Sequence, residues 1–274
     1  MMRYLFITTL ILSIVGCNSN EQQTEFAESP ETRLQWNFSK PKKLVYDFSQ
    51  ESVNKSKSSK DEEHEEVLVE ARGNLNIRIK DDETATLSLT DVILKSIFTG
   101  TNNHRKDTMV RGMPTRVIQG MKSDGSFSES NIDVMFKTLF PLPNAVMEIG
   151  ESVKLPMKIP FNANSSRLYT KGFNTLTLEG YEIFEGRECA VLKGEIKVSE
   201  LDIPEEVKGD YAFSTTGEAT YYFDVSEQLY VGSDIKLVMN VMMNTEKEKD
   251  NDFGMYMNMI NENVFSIRLK EIEE

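Results

Sequence analysis

The sequence predicts a mainly β protein whose antiparallel sheet is highly curved, as a half-barrel or a barrel-like structure, and carries one short amphipathic helix. Three observations predict this fold class. Apolar and polar residues alternate in many short segments, turn signals separate these segments at short spacing, and a single segment has the helical period. Because side chains in a strand point alternately to its two faces, each such segment buries one face and exposes the other.

The amino-terminal segment has the pattern of a secretory signal peptide. Arg3 supplies a positive charge, and an apolar run over 4–15 follows it. The run is too short to cross the ~30 Å hydrocarbon core of a bilayer, which needs about 20 apolar residues. We therefore expect residues 1–16 to be a signal peptide that is removed.

The last residues of this segment, Ile14-Val15-Gly16-Cys17, resemble the lipobox of bacterial lipoproteins. The resemblance implies that Cys17 receives a diacylglyceryl group, with acyl chains such as palmitate, and anchors the mature chain to a membrane. Each buried CH₂ of an acyl chain contributes about 0.8 kcal/mol, so two or three chains hold a protein stably. Asn18, by resemblance to the enterobacterial sorting pattern, favours the outer membrane. An ordinary signal peptide with an accidental cysteine is the alternative.

The composition limits the partners of the chain. Its 274 residues include 44 acidic and 31 basic side chains, which gives a net charge of −13. Nucleic acid is excluded as a partner, because phosphate binding depends on clustered Lys and Arg. We expect residues 17–40, which are largely polar, to form a flexible tether with Trp36 and Phe38 docked on the domain edge. Residues 41–274 are expected to form a single β-rich domain.

Cys189 is the only other cysteine in the chain. If Cys17 is acylated, no intrachain disulfide can form. Cys189 lies in the strand-like run "ECAVLKG", so we interpret it as a small buried hydrophobic residue. A reactive thiol is the alternative, but no nearby group would clearly lower its pKa.

Strands are expected throughout the domain, and the residues between them carry the turn signals. The polar stretch 49–66 is expected to be a loop, and the pairs Asp81-Asp82, Asp124-Gly125 and Glu185-Gly186 are expected to be turns. The expected strands are 44–48, 67–73, 75–79, 84–89, 116–121, 151–161, 174–184, 187–198, 217–223, 235–243, 254–260 and 264–272.

The two halves of the domain show a weak similarity. When Gly73 is set on Gly217, "LNIRI" lies over "ATYYF", and Leu75, Ile77 and Ile79 match Ala219, Tyr221 and Phe223. The alignment is consistent with an internal duplication of about 41–127 and 172–272, although any two β-meanders can align in this way.

One segment has the helical period. Ile132, Met135, Phe136 and Leu139 follow the spacing i, i+3, i+4, i+7, Ser130 or Asn131 can cap the first turn, and Pro141 ends the segment. We expect an amphipathic helix of two to three turns that packs its apolar stripe on the sheet. A covered loop is the alternative.

The segment "FPLPNAVMEIGESVKLP" (140–156) resembles a stretch of uncharacterised lipoproteins of Gram-negative bacteria, as do "FEGRECAVLKGEI" and "GEATYYFDVSEQLYVGSDIKL". The architecture is also similar to that of lipoprotein carriers and mycobacterial lipid-binding lipoproteins. In those proteins a curved sheet with a helix on its concave side encloses an apolar cavity, so the resemblance implies a lipid-binding half-barrel.

No catalytic signature is present. The chain has two histidines, His64 and His104, both in polar runs, and no Gly-x-Ser-x-Gly elbow or glycine-rich phosphate loop. The acidic runs at 61–66 and 250–254 contain possible cation ligands, but we interpret them as solvated loops. We therefore expect a protein that is not an enzyme and needs no cofactor or metal.

The methionines are the most informative candidates for a binding site. Met239, Val241 and Met243 share one face of a strand, as do Met255, Met257 and Met259 on the next. If 244–253 is a hairpin loop, these strands are antiparallel neighbours and present one wall. Thioether side chains are flexible and polarizable, which suits an adaptable apolar surface. Plain core filling is an equal alternative, and copper(I) ligation is a weaker one.

Three functional hypotheses follow. The first is a non-catalytic envelope lipoprotein that binds an apolar ligand, an acyl chain or lipid, between the methionines and the helix residues Ile132, Met135, Phe136 and Leu139. The second is an envelope scaffold lipoprotein with a filled core that binds an unknown protein through 50–66 and 244–253. The third is a hydrolase that uses a pair of carboxylates.

Overall fold

The structure is a computed structural model that describes residues 34–274 except 61–62, 100–105, 128–132, 164–165, 204–208 and 245–255. At 99, 106–107, 133–135, 160–163 and 166–168 it describes the backbone alone. The described residues belong to one compact unit, Glu31–Glu274. No helix among them is long and apolar enough to cross a membrane.

Strands dominate the described part of the chain. A single helix, α1 (Asp133–Leu139), accompanies them there. The strands are β1 (Lys42–Lys57), β2 (Glu65–Ile79), β3 (Ala85–Thr99), β4 (Lys106–Gly112), β5 (Arg116–Met121), β6 (Ser152–Ala163), β7 (Ser166–Phe184), β8 (Arg187–Asp202), β9 (Asp210–Asp224), β10 (Leu229–Asn244) and β11 (Tyr256–Glu273).

All eleven strands form one antiparallel sheet in the order β4-β3-β2-β1-β11-β10-β9-β8-β7-β6, and β5 also pairs with β3. The sheet is not closed, and its curvature fits a half-barrel. The predicted fold class is therefore confirmed. The two terminal strands of the domain, β1 and β11, pair at the centre of the sheet, so the chain ends hold the two halves together.

The strands are longer than the sequence pattern predicted. The expected loop over 49–66 was wrong, because β1 continues to Lys57 and β2 begins at Glu65. The turns were predicted correctly: Glu185 and Gly186 join β7 to β8 with positive φ angles of 51° and 76°. The interpretation of 61–66 as a loop fails at Glu65 and Glu66, and residues 61–62 and 250–254 lie outside the described residues.

The helix was also predicted correctly in its type and its end. Helix α1 stops at Leu139, two residues before Pro141, and the Phe140 N–H donates to the Phe136 carbonyl at 2.8 Å. The expected capping residues and Ile132 lie outside the described residues. For Met135 the structure describes the backbone alone.

The buried residues occupy one face of the sheet, which we call the inner face. Leu44, Tyr46 and Phe48 on β1 belong to it. A residue of another strand lies on the inner face when the cross-strand pairing connects it to an inner residue of its neighbour. The opposite face is the outer face. The domain extends to residues before 41, because Leu34 and Trp36 are buried in the same core.

Glycines allow neighbouring strands to approach closely where the sheet bends. A Cβ at Gly172 would lie 2.1 Å from the Lys197 carbonyl oxygen, and one at Gly217 would lie 2.3 Å from that of Lys236. The pairing of β7 with β8 shifts by one residue at Gly172, as in a β-bulge. Such positions let a long sheet curl, because only glycine leaves room for the adjacent backbone.

Gly73 and Gly217, which the suggested duplication aligns, lie on the same face of the sheet, but the strands that precede them pair with them in different registers. Phe48 pairs with Gly73, whereas Leu192, which takes the place of Phe48 in the alignment, pairs with Tyr221. The duplication remains a prediction.

Candidate ligand-binding face

The inner face has two parts with different coverings. The row of paired residues Gln50, Phe265 and Ile235 runs across the middle of the sheet. We call the part from this row to the strand ends that carry the methionines the methionine half. The remainder is the plugged half, because α1 and the segment 34–38 pack there.

An aromatic cluster fills the plugged half. The Phe140 ring lies 5.2 Å from Phe136 and 5.3 Å from Tyr230, and the Trp36 ring lies 5.6 Å from Tyr230. Trp36 is 1% exposed and Phe140 is 1% exposed. Aromatic side chains bury 150–250 Å² each, so this cluster supplies a large part of the hydrophobic stabilisation of the domain.

Tyrosine hydroxyls tie the plug to the sheet. The Tyr46 hydroxyl donates to the Tyr230 carbonyl at 2.9 Å, the Tyr221 hydroxyl donates to the Thr138 carbonyl at 3.0 Å, and the Tyr230 hydroxyl donates to the Pro141 carbonyl. Burial raises the pKa of all three hydroxyls above their usual range. They therefore stay protonated at physiological pH and hold α1 and the residues after it in place.

The methionines form a wall on β10 and β11. The two strands are antiparallel neighbours, as predicted, and the register pairs Met243 with Met257 and Val241 with Met259. Val241 is 6% exposed and Met243 is 4% exposed. Met239, Met257 and Met259 are half-buried, and Met255 lies outside the described residues.

The helix and the methionine wall lie at opposite ends of the inner face. Phe136 and Leu139 are buried in the plugged half, where they contact the aromatic cluster. Val241 lies eleven residues beyond Tyr230 on β10, which is roughly 35 Å at ~3.3 Å per residue. The structure thus brings the wall residues together with one another but does not bring them to the helix. A binding role for either group remains a prediction.

Sequence reasoning missed a polar group beside the wall. Five inner-face side chains on β1 and β11 form it, and we call them the amide cluster: Gln50, Ser52, Asn54, Asn261 and Asn263. Gln50 Nε2 donates to Asn263 Oδ1 at 3.1 Å, and Asn261 Nδ2 donates to Ser52 Oγ at 3.1 Å. Asn54 Nδ2 also donates to Ser52 Oγ, at 3.3 Å. Asn261 donates further to Asn54, and Asn263 donates to Asn261.

On β1 and on β6 to β11 the inner face is uncharged at this level of the sheet, whereas β2 and β4 carry Glu65 and Arg111 there. From Gln50 to the end of β1, and at the equivalent inner positions of β6 to β11, none of the side chains described is charged. The outer face carries ion pairs such as Arg268 with Asp234 at 2.7 Å and Lys270 with Asp47 at 3.3 Å. A chain with 27% charged residues thus keeps this part of the inner face free of charge, with methionine, aliphatic and amide side chains.

The outer face also has a depression. A groove of about 770 Å³ lies over β11, β1, β2 and β3, lined by polar side chains that include Asn74, Asn76, Ser88 and Thr90. Asn76 Nδ2 donates to Thr90 Oγ1 at 3.2 Å, so part of this lining is engaged with itself. The groove lies on the opposite face from the predicted binding site.

The residues that could support chemistry are dispersed. His64 Nε2 lies 3.1 Å from Asn258 Oδ1 in an exposed position, and His104 lies outside the described residues. Burial raises the pKa of the Cys189 thiol to about 12, and the nearby Asp224 carboxylate adds to this shift. The thiol therefore stays protonated. No group of three or more metal-ligating side chains occurs in the part of the chain that the structure describes.

Comparisons with known proteins give no family for this chain. No family model matches the sequence, and no curated protein matches it significantly. Among solved structures, the chain is similar to lipovitellin, in a structure concerned with lipid–protein interactions, at a TM-score of 0.47 and 13% identity. The match covers 86% of this chain and 26% of the lipovitellin chain. A DUF1329 family protein from Desulfovibrio piger matches at a TM-score of 0.16 and 12% identity, over 82% of this chain and 85% of that one.

Proposed function

We propose that the protein is a non-catalytic envelope lipoprotein that binds an apolar ligand, an acyl chain or a lipid, on the methionine half of its inner sheet face. The observation that carries this proposal is the uncharged surface that β1 and β9 to β11 present on this half of the inner face. Met239, Met257 and Met259 remain half-buried there, while the plugged half of the same face is filled by aromatic side chains. Burial of apolar ligand surface against such a wall contributes about 25 cal/mol per Å².

The choice of residues in the wall supports an adaptable surface. Methionine has three rotatable bonds and a polarizable sulfur, so a row of methionines can repack around chains of different shape. A binding face built for one rigid ligand would favour branched or aromatic residues, which keep a fixed shape. These occur in the plugged half, where Tyr221 and Tyr230 are fixed by hydrogen bonds.

The membrane attachment is part of the same proposal and rests on the lipobox-like residues that end in Cys17. An acylated Cys17 would hold the domain at the outer membrane, close to a source of lipid. We propose no catalytic role, because the described residues offer no placed histidine or activated thiol. An unknown envelope protein could donate or receive the ligand.

Lipid mass spectrometry on detergent-free protein tests the proposal. Residues 18–274 include the whole compact unit and can be exported to the periplasm behind a cleavable signal without an acylated cysteine. We expect close to one acyl lipid per chain after purification. In the Met239→Glu variant we expect at least a tenfold loss of bound lipid, since a carboxylate on this face would lose its hydration without gaining a counter-charge.

Val264→Glu is the matched control, because Val264 lies on the outer face of β11 between Glu51 and Lys236 and is 46% exposed. It adds the same charge to the same sheet and should leave the bound lipid unchanged. Folding of both variants is checked by circular dichroism. Well-folded wild-type protein without lipid would contradict the proposal and favour the envelope scaffold. Crosslinking in intact cells would then identify the protein partner of that scaffold.

A further inference from the structure

We propose that the ligand of the methionine half is amphipathic and has an uncharged, hydrogen-bonding head group, such as the hydroxyl and ester groups of a glyceride, which binds the amide cluster. This inference rests on the proposed function and names the chemical class of its ligand. The amide cluster and the methionine wall are contiguous: Asn54 pairs with Asn261, and Asn261 pairs with Met239 on the next strand. One molecule can therefore contact both.

The amide cluster has hydrogen-bonding capacity beyond its internal bonds. A Gln or Asn side chain offers two N–H donors and a carbonyl oxygen that can accept two bonds. The bonds among the five side chains run in one direction, from Gln50 to Asn263, from Asn263 to Asn261, and from Asn261 to Asn54 and Ser52. Ser52 is 4% exposed and the four amides are half-buried, so the donors and acceptors that their internal bonds leave over can take a polar partner.

A second, independent observation lies across the wall. Thr215 is 4% exposed, and its hydroxyl has no hydrogen-bond partner among the residues described. Thr215 pairs with Met239, which in turn pairs with Asn261, so the hydroxyl lies in the same row as the amide cluster. Two strand spacings of about 4.8 Å separate the two polar groups, which is roughly 10 Å. A glyceride head group with several oxygen atoms is large enough to approach both Asn261 and Thr215, which lie on the two sides of Met239.

The absence of charged inner side chains on the strands that carry the site selects among head groups. A phosphate or a free carboxylate bound beside Asn261 would have no cation within the described inner positions of β1, β10 and β11 to balance it. Desolvating an ion without a partner costs several kcal/mol, more than amide hydrogen bonds return. Hydroxyl, ester and amide groups carry no such penalty.

A displacement assay on residues 18–274 tests this inference. The apolar fluorophore N-phenyl-1-naphthylamine first reports whether an apolar site exists. Three lipids with the same sixteen-carbon chain then compete with it at pH 8: monopalmitoylglycerol, palmitate and palmitoyl lysophosphatidylglycerol. We expect monopalmitoylglycerol to bind about tenfold more tightly than the two anions. In Asn261→Leu this preference should fall to about twofold while the fluorophore still binds.

Asn240→Leu is the control, because Asn240 is an exposed amide on the outer face of β10. It should keep the full preference. Gln50→Leu provides a second test at the other end of the cluster if Asn261→Leu folds poorly. Equal affinity for the three lipids, tighter binding of an anion, or an unchanged preference in the folded leucine variants would overturn the inference and leave the proposed function standing. Failure of the fluorophore to bind would instead contradict the proposed function.

Discussion

At the scale of single residues, the buried carboxylate of Asp224 shows how this sheet tolerates a charge near its core. Asp224 is 2% exposed at the end of β9. Burial alone would raise its pKa. The Glu227 N–H, the Ser226 hydroxyl and the Arg187 guanidinium, which lies 2.9 Å away, outweigh burial and hold the pKa below its usual value.

The Asp224→Asn variant should lose about 2 kcal/mol of unfolding free energy at pH 7, because the amide cannot replace a carboxylate that accepts three hydrogen bonds. Since the folded-state pKa is lowered, the contribution of Asp224 is complete above the unfolded pKa of ~3.9 and is lost as the pH falls through the folded pKa. Urea unfolding of residues 18–274 should thus show that wild type and variant converge in acid. Asp47→Asn, in an exposed ion pair with Lys270, should cost less than about 0.5 kcal/mol at either pH. A constant difference between wild type and Asp224→Asn from pH 7 to pH 2 would contradict this account.

At the scale of elements, the sequence predicted most of the strands where alternation was clear. The second half of β9 and most of β10 could be placed because apolar residues occupy every second position over 219–223 and 235–243. The second half of β1 could not, because Gln50, Ser52 and Asn54 take the inner positions that the alternation rule reserves for apolar residues. Their partners Asn261 and Asn263 lie more than two hundred residues later in the chain. Composition alone gives no sign of such a pairing, so the polar part of the candidate site was found only in the folded sheet.

The segment 34–38 was expected to dock on the domain edge as the end of a flexible tether, and its contacts make it a structural element in its own right. The backbone N–H of Trp36 donates to the Ser123 carbonyl, and the backbone N–H of Asn37 donates to the Gln228 carbonyl, both at 3.0 Å. Trp36→Ala should lower the unfolding free energy by about 3–5 kcal/mol, the usual cost of removing a large buried aromatic side chain. Trp36→Phe should cost less, since it also removes an indole N–H that has no partner among the described residues.

Denaturant unfolding followed by circular dichroism measures these differences. Phe173→Ala is the matched control, because Phe173 lies on the outer face of β7 with 48% of its surface exposed. That substitution should change the unfolding free energy by less than about 1 kcal/mol. A loss of under 1 kcal/mol in Trp36→Ala would show that the segment 34–38 is not part of the cooperative core.

At the scale of the whole molecule, the distribution of charge separates two tasks. The chain carries a net charge of −13, and ion pairs such as Arg268 with Asp234 and Lys270 with Asp47 lie on the outer face, a charge balance that disfavours contact with anionic surfaces. The inner face carries the apolar and amide groups.

The anchor proposed at Cys17 can be tested by fractionating cells that express the full chain. We expect the wild type to sediment with the outer membrane and to incorporate labelled palmitate, since two or three acyl chains give effectively permanent attachment. Cys17→Ser should abolish palmitate incorporation and stop processing after Gly16. When its signal is replaced by a cleavable one, the same variant should appear in the soluble periplasmic fraction. Cys189→Ser, which changes the other cysteine, should leave labelling and sedimentation unaltered, because the Cys189 thiol is buried and protonated. Palmitate incorporation that persists in Cys17→Ser, or a wild-type chain that is soluble without detergent, would show that Cys17 is not the anchor.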